Sequence, residues 1–248
     1  TVRQFRRFVD PESVAVIGPS SEAGPGTYNL FENLLRERCQ ARLYPVNPRA
    51  DEILGVRAYA SIAELPETVD LAIIVVPRQH VVQAVRDCVQ AGVQAVVVIT
   101  QGFADADEQG QAWQLEIQAI VDGTSTRLIG PNTIGLANAF SNFHTSFQRF
   151  DFSPRANAMI CQSGMFVLAS ADFTTGLGMG LDIGNAADIG FAELLPCLAA
   201  DDRIEVINLH MESLTNGEQF VRAAAEITRE KPIVAYKIGR SEQGARAA

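Results

Sequence analysis

Short runs of Val, Ile, Leu and Ala recur along the chain. Each is followed by a polar turn, and most turns lead into a stretch with helical spacing. In the first half the runs are SVAVIG (13–18), RLYPVN (42–47), DLAIIVV (70–76), AVVVIT (95–100) and RLIG (127–130). Amphipathic stretches over about 27–38, 79–91 and 107–122 lie between them. Polar residues do not alternate with apolar ones inside the runs. That is the pattern of strands buried on both faces, as in a parallel sheet covered by helices. Repeated β-α-β order with right-handed crossovers predicts a doubly wound α/β fold.

The rhythm breaks at about 139–156, a segment rich in Phe, Ser and Asn that carries Pro154. It reads as a junction. The winding restarts with AMICQ (158–162), a helix from Ser163, GMGLDIG (178–184) and a helix over about 188–200. EVINLHM (205–211), a helix over about 217–230 and PIVAYKI (232–238) follow, the last read as a buried strand. The expected organisation is a first α/β domain over 1–138, the junction, and a second α/β domain over 157–248. The last elements of that second sheet are expected to be missing.

Composition narrows the function classes. The chain has 248 residues, 47% hydrophobic, with a formal net charge of −9. Counterion release at a nucleic acid or an anionic membrane needs clustered Lys and Arg, so neither is an expected partner. One basic cluster, Arg3, Arg6 and Arg7, has the spacing of the solvated face of a short helix. Cys39, Cys88, Cys161 and Cys197 are scattered, with no pair or Cys/His cluster of zinc spacing. They read as reduced thiols of a cytoplasmic protein with no metal site. No apolar run approaches the roughly 18 residues of a membrane span.

Ligands of open α/β sheets bind beyond the carboxyl ends of the strands. The first exit, VIGPSSEAGPGTYN, spaces Gly18, Gly24 and Gly26 around Ser20 and Ser21. Glycines let backbone N–H groups approach a phosphate ahead of a helix N-terminus. The spacing is not GxGxxG, and the second strand ends in Asn47-Pro48-Arg49, where an NAD site wants an acid. Arg49 suits phosphate. Asp51 and Glu52, slightly further on, keep NAD in play. Pro77, Thr100, Gln101, Gly102 and Phe103 sit at the third and fourth exits, and Gly130, Pro131, Asn132 and Gly135 at the fifth.

The second half repeats the theme. Gln162, Ser163 and Gly164 stand at a helix start, with Ser163 as a natural N-cap. Gly184, Asn185 and Asp188 follow the next strand, and Glu212 the one after. Glu212 is either a carboxylate that orients or deprotonates a partner or a loop cap. Among the three histidines, His80 is read as beginning a surface helix after the Pro77 loop, and His144 lies in the junction with no partner evident in the sequence. His210 alternates with Glu212 along one strand, which places both on the same face; a hydrogen-bonded strand histidine is the simpler reading.

In order, DPESVAVIGPSS, YPVNPR, ILGVRAYASIAELPETVDLAIIVVP, AGVQAVVVITQGF, IGPNTIGLAN, CQSG, IGNAAD, LHMES and KPIVAYKIGRSEQGARAA resemble the N-terminal part of the NDP-forming, or ADP-forming, acyl-CoA synthetases. These are relatives of the succinyl-CoA synthetase α subunit. The resemblance implies a Rossmann-like CoA-binding domain followed by a flavodoxin-like domain that takes part in acyl-phosphate chemistry. It implies that the loop Gly18, Ser20, Ser21, Gly24 and Gly26 holds the CoA diphosphate. Asn47, Pro48 and Arg49 would hold the nucleotide end, Pro77, Thr100 and Gln101 would line the groove, and Asn132 would lie near the thiol. Gln162, Ser163, Gly164 and Asn185 would serve the phosphoryl site, and Glu212 would steady a phosphorylated histidine. Implied partners are a carboxylic acid or acyl phosphate and an ATP-grasp domain or subunit bringing ATP/ADP and Mg, with a homo-oligomer possible. Thr133 stands where Cys is usual, Cys161 where Ser is usual, and Arg49 where Lys is common. No Ser-His-Thr-Gly motif is present, so the chain is expected to be inactive alone. Two rivals are a non-catalytic CoA or acyl-CoA sensor and an NAD-binding dehydrogenase fragment.

Overall fold

The computed structural model describes residues 2–24, 29–37, 39–147, 154–169 and 176–239. Gly26 and the segment from Arg240 onward lie outside the described residues, as does part of the expected junction. No described helix is long and apolar enough to cross a membrane.

The chain opens with α1 (Val2–Val9), which buries Phe5, Phe8 and Val9 at helical spacing. Strands β1 (Ser13–Ile17) and β2 (Arg42–Val46) flank the short helix α2 (Leu30–Arg36). A small hairpin of β3 (Glu52–Ile53) and β4 (Val56–Arg57) precedes β5 (Leu71–Ile74). Then come α3 (Val81–Gln90), β6 (Ala95–Val98), α4 (Glu108–Val121) and β7 (Arg127–Ile129). The first sheet has the order β2-β1-β5-β6-β7, all parallel.

Strand alternation splits this sheet between two cores. Val14, Val16, Leu71, Ile73, Ala95 and Val97 face a cluster that includes α1 and α2 and continues into the second half. Ala15, Ala72, Ile74, Val96 and Val98 face the other side, against α3 and α4. With both faces covered, every position of the run must be apolar. That is why no polar alternation shows in the sequence.

The second sheet is mixed, with order β13-β12-β10-β11-β8-β9. Its members are β8 (Leu136–Asn138), β9 (Phe143–His144), β10 (Asn157–Cys161), β11 (Met179–Asp182), β12 (Val206–Met211) and β13 (Ile233–Lys237), with helices α5 (Gly164–Leu168), α6 (Phe191–Ala199) and α7 (Gly217–Ile227). β8 runs antiparallel to β11 and β9 antiparallel to β8. Leu136–Asn138, directly after the first sheet, therefore pairs into the second. Thr145 and Ser146, within the stretch read as a junction, are buried.

The strand read as buried at PIVAYKI is instead an exposed edge. Among the described residues β13 pairs only with β12, Val234 is 58% and Tyr236 60% exposed, and no residue of α7 is buried. Hydrophobicity marks it as a strand but says nothing of what covers it.

The halves are stitched together. Arg127 pairs with Asp188, whose carboxylate also accepts from the Leu128 N–H. The Gln118 amide donates to the Ala187 carbonyl, and the Asn33 amide to the carbonyls of Ser146 and Phe147.

Candidate functional site

The carboxyl ends of the strands in the two sheets converge on one cavity of about 740 Å³. Pro77, Thr100, Gln101 and Asn132 line it from the first half, and Gln162, Ser163, Gly164 and Glu212 from the second. Val75, Ile99 and Phe147 complete its apolar wall. The same three residues also line a second cleft of about 320 Å³, with Gly18, Pro19 and Ser20 on its other side. The two cavities thus share a wall. Together they form a groove running from the first glycine loop to Glu212.

The first-half side is built from turns. Gly18 has φ +85°, and a Cβ there would lie 2.5 Å from Val76 Cγ1. Only glycine lets the chain cross β5 so closely. The Ser20 hydroxyl accepts from the Glu22 N–H, and the Gly24 N–H donates to the Glu32 carboxylate. Asn29 caps α2: its Oδ1 accepts from the Phe31 and Glu32 N–H groups, while its Nδ2 donates to the Ser20 and Glu22 carbonyls. Asn47 reaches across to the Pro19 carbonyl at 3.4 Å and accepts the Arg49 N–H. Pro48, Arg49 and Ser21 are exposed and Gly24 is half-buried, all outside both cavities. The Thr100 hydroxyl donates to the Val76 carbonyl, and the Thr100 carbonyl accepts from Asn132, whose φ is +61°.

The second-half side is built from polar side chains. Gln162 Oε1 accepts from the Glu212 and Ser213 N–H groups, both at 2.9 Å, and its Nε2 donates to Ser213 Oγ. Gln162 therefore holds the turn that carries Glu212. Burial pushes the Glu212 carboxyl above its ordinary range, with Lys237 opposing. Ser163 occupies the N-cap position of α5, but its side chain makes no capping bond. Gly164 leaves no room for a Cβ beside Ile134.

Asp182 is the site residue the sequence reading missed. It lines the cavity and is 1% exposed. Its Oδ2 accepts from Thr133 Oγ1 at 3.0 Å and from the Ile134 N–H at 2.8 Å, and its Oδ1 from the Gly184 N–H. Burial pushes this carboxyl up to about 6 against those hydrogen bonds. The signal was present: Asp182 is the one charged residue inside the apolar run GMGLDIG. Thr133 thus serves as a donor to this carboxylate, which a simple small-residue position would not require.

Asn185 is not on the cavity wall. Its Nδ2 donates to Asp105 and Gln114, and its Oδ1 accepts from Asn132, so it buttresses the Asn132 turn. His210 and Glu212 do not pair. β12 ends at Met211, so alternation no longer holds at Glu212. His210 stacks on Phe166 with centroids 3.7 Å apart, and its buried Nδ1 meets no hydrogen-bond partner. Burial lowers its pKa. His144 is buried in β9, where desolvation brings it down to about 4. All four cysteines are free thiols. No metal-ligating cluster occurs among the described residues.

With this geometry in view, comparisons with known proteins are specific. Residues 12–139 match the family model of the CoA binding domain, and residues 154–248 that of the succinyl-CoA ligase like flavodoxin domain. The chain is 38% identical to the α subunit of acetate–CoA ligase [ADP-forming] II of Pyrococcus furiosus, over 97% of this chain and 53% of that protein. It is 35% identical to acetate–CoA ligase [ADP-forming] II of Archaeoglobus fulgidus, over 100% of this chain and 38% of that protein. Among solved structures, PH0766 from Pyrococcus horikoshii superposes with a TM-score of 0.88 at 33% identity, covering 98% of this chain and 56% of that one. The Ca. Korarchaeum cryptofilum dinucleotide forming acetyl-coenzyme A synthetase 1, in complex with phosphate and ADP, gives 0.89 at 31% identity, covering 100% and 54%. The chain spans about half or less of the length of these relatives.

Proposed function

We propose, for a chain that belongs to the CoA-binding domain family, that it is the CoA-binding part of an ADP-forming acyl-CoA ligase. The single observation that carries this reading is the continuous groove. Its glycine-loop end and its Glu212 end are joined through Val75, Ile99 and Phe147. A long ligand with phosphates at one end and a reactive thiol at the other fits such a groove.

The residues suit CoA. The close approach of Gly18 to β5 leaves the loop backbone bare at the cleft, with Ser20 beside it. Arg49, exposed outside both cavities on the Asn47 turn, would offer a cation to the nucleotide phosphate. When bound, CoA supplies a thiol nucleophile. Asn132 and Thr100 stand midway along the groove, where they orient polar groups approaching the second-half wall.

At that wall the uncapped start of α5 places Ser163 and Gly164 against the cavity, where N–H groups stabilise phosphoryl oxygens. Glu212 stands opposite, held by Gln162, and takes the role of a carboxylate that fixes an incoming imidazole. The overall reaction joins a carboxylic acid to CoA through an acyl phosphate. Nucleotide and magnesium would enter with an ATP-grasp domain or subunit.

Isothermal titration with CoA tests the binding claim. Saturable heat with micromolar affinity is the expected outcome. No heat and no thermal shift at millimolar CoA would remove it.

A further inference from the structure

At the opposite end of the first sheet lies a different cleft, of about 320 Å³, beneath α1. It sits at the amino ends of β6 and β7, so it is separate from the groove at their carboxyl ends. Three arginines line it: Arg3 and Arg7 from α1, and Arg127 from the start of β7. Thr124 and Ser125 form the turn before β7 and close its other side. The Gln4 amide donates to the Gln94 and Ser125 carbonyls, which ties α1 to that turn and removes two acceptors that would repel an anion.

The donor groups favour an anion. Arg7 engages Asp70 through Nη1, and Arg127 engages Asp188 through Nε. Each leaves the rest of its guanidinium fork unspent, since arginine carries five N–H donors. Arg3 makes no ion pair among the described residues. Glu193 also acts on Arg127, so Asp70, Asp188 and Glu193 match the three arginines in charge, and it is the N–H donors at the cleft rather than net charge that favour an anion. Three planar forks and an exposed serine hydroxyl suit a tetrahedral oxyanion better than a monovalent halide, because they offer several directed donors.

We propose that this cleft binds an oxyanion of the phosphate class, either free inorganic phosphate or the phosphate of a nucleotide. Because Arg127 is also half of the Arg127–Asp188 pair between the two halves, occupancy would bear on that joint. The proposal uses neither the CoA groove nor Glu212, so it stands or falls apart from the function proposed above.

The test is an NMR titration of the chain with inorganic phosphate, and separately with ADP, at constant ionic strength. The Thr124 and Ser125 amides are followed against Ser163 and Gly164 in the other cavity. Saturable shifts at Thr124 and Ser125 in the millimolar range are expected. They should weaken about tenfold in Arg3→Ala, as for loss of one charged hydrogen-bonding partner. Arg3 is exposed and unpaired, so that variant keeps the fold. Saturation by phosphate identifies the free ion, and saturation by ADP alone identifies the nucleotide. The proposal is overturned if neither ligand moves these amides saturably, if Arg3→Ala binds as well as the parent chain, or if chloride reproduces the shifts.

Discussion

The two walls of the main groove are made of different materials. On the first-half side, glycine turns, main-chain groups and neutral side chains such as Ser20, Thr100 and Asn132 do the lining, and their hydrogen bonds fix loop shape. On the second-half side, two carboxylates, Asp182 and Glu212, face the same space, and burial pushes both upward. The first wall carries no titratable side chain among its described lining residues. The other holds titratable groups in a desolvated setting, where protonation and charge can change during a reaction. On the function proposed above, the first wall would hold the ligand and the second act on it, and substitutions should separate the two.

The strongest break is expected at Glu212. In the ligase assembled with its ATP-grasp partner, Glu212→Gln should lower turnover by about 10²–10⁴-fold, while CoA titration of the chain stays unchanged. Turnover near the parent level would show that the second wall does not act. The converse break is Gly18→Ala. A methyl group at φ +85°, only 2.5 Å from Val76 Cγ1, should cost about 2–4 kcal/mol and reduce CoA affinity. Urea denaturation and calorimetry would read both effects.

Asp182 sharpens the contrast through pH. Its folded carboxyl titrates near 6, against about 4 in an unfolded chain. Between those values the native state holds a proton that the unfolded chain has released. Stability contributed by this group is therefore complete below about pH 4, falls as pH rises to about 6, and is flat above, a change on the order of 3 kcal/mol. Urea midpoints across that range should show the slope in the parent and lose it in Asp182→Asn. An identical slope in both proteins would assign it to another group. The smallest effect is expected at Gln162→Ala. It strips the acceptor from the Glu212 and Ser213 N–H groups, costing about 1–2 kcal/mol. CoA binding should remain, with catalytic loss in the assembled ligase, because the Glu212 turn is freed while the first wall is untouched.

Much of the fold was legible because its signals are local. Runs buried on both faces announce the parallel strands, and the spacing of Arg3, Arg6 and Arg7 announces α1. β8 and β9 were not legible: strands of three and two residues carry no period. Asn29 escaped for a related reason, since its capping role depends on the loop folding back so that Ser20 and Glu22 reach its amide. In the site, Pro77, Thr100, Gln101, Asn132, Gln162, Ser163, Gly164 and Glu212 were readable as strand exits, and all of them line the cavity. Asn185 was readable as an exit too, yet its amide is spent on Asp105, Gln114 and Asn132. Exit position gives proximity to a crevice, not side-chain direction.

The sequence by itself determined the order of strands and helices, the glycines that turn at strand exits, and the family. Those depend on side-chain size, polarity and backbone freedom within a few residues. Tertiary structure alone decided that exits from two sheets meet in one groove, that Asp182 is a buried carboxylate bonded to Thr133, and that Arg127 joins Arg3 and Arg7 of α1 at one cleft. The physical reason is the same in each case. Strand order in a wound sheet differs from chain order, and desolvation and charge pairing are set by neighbours in space.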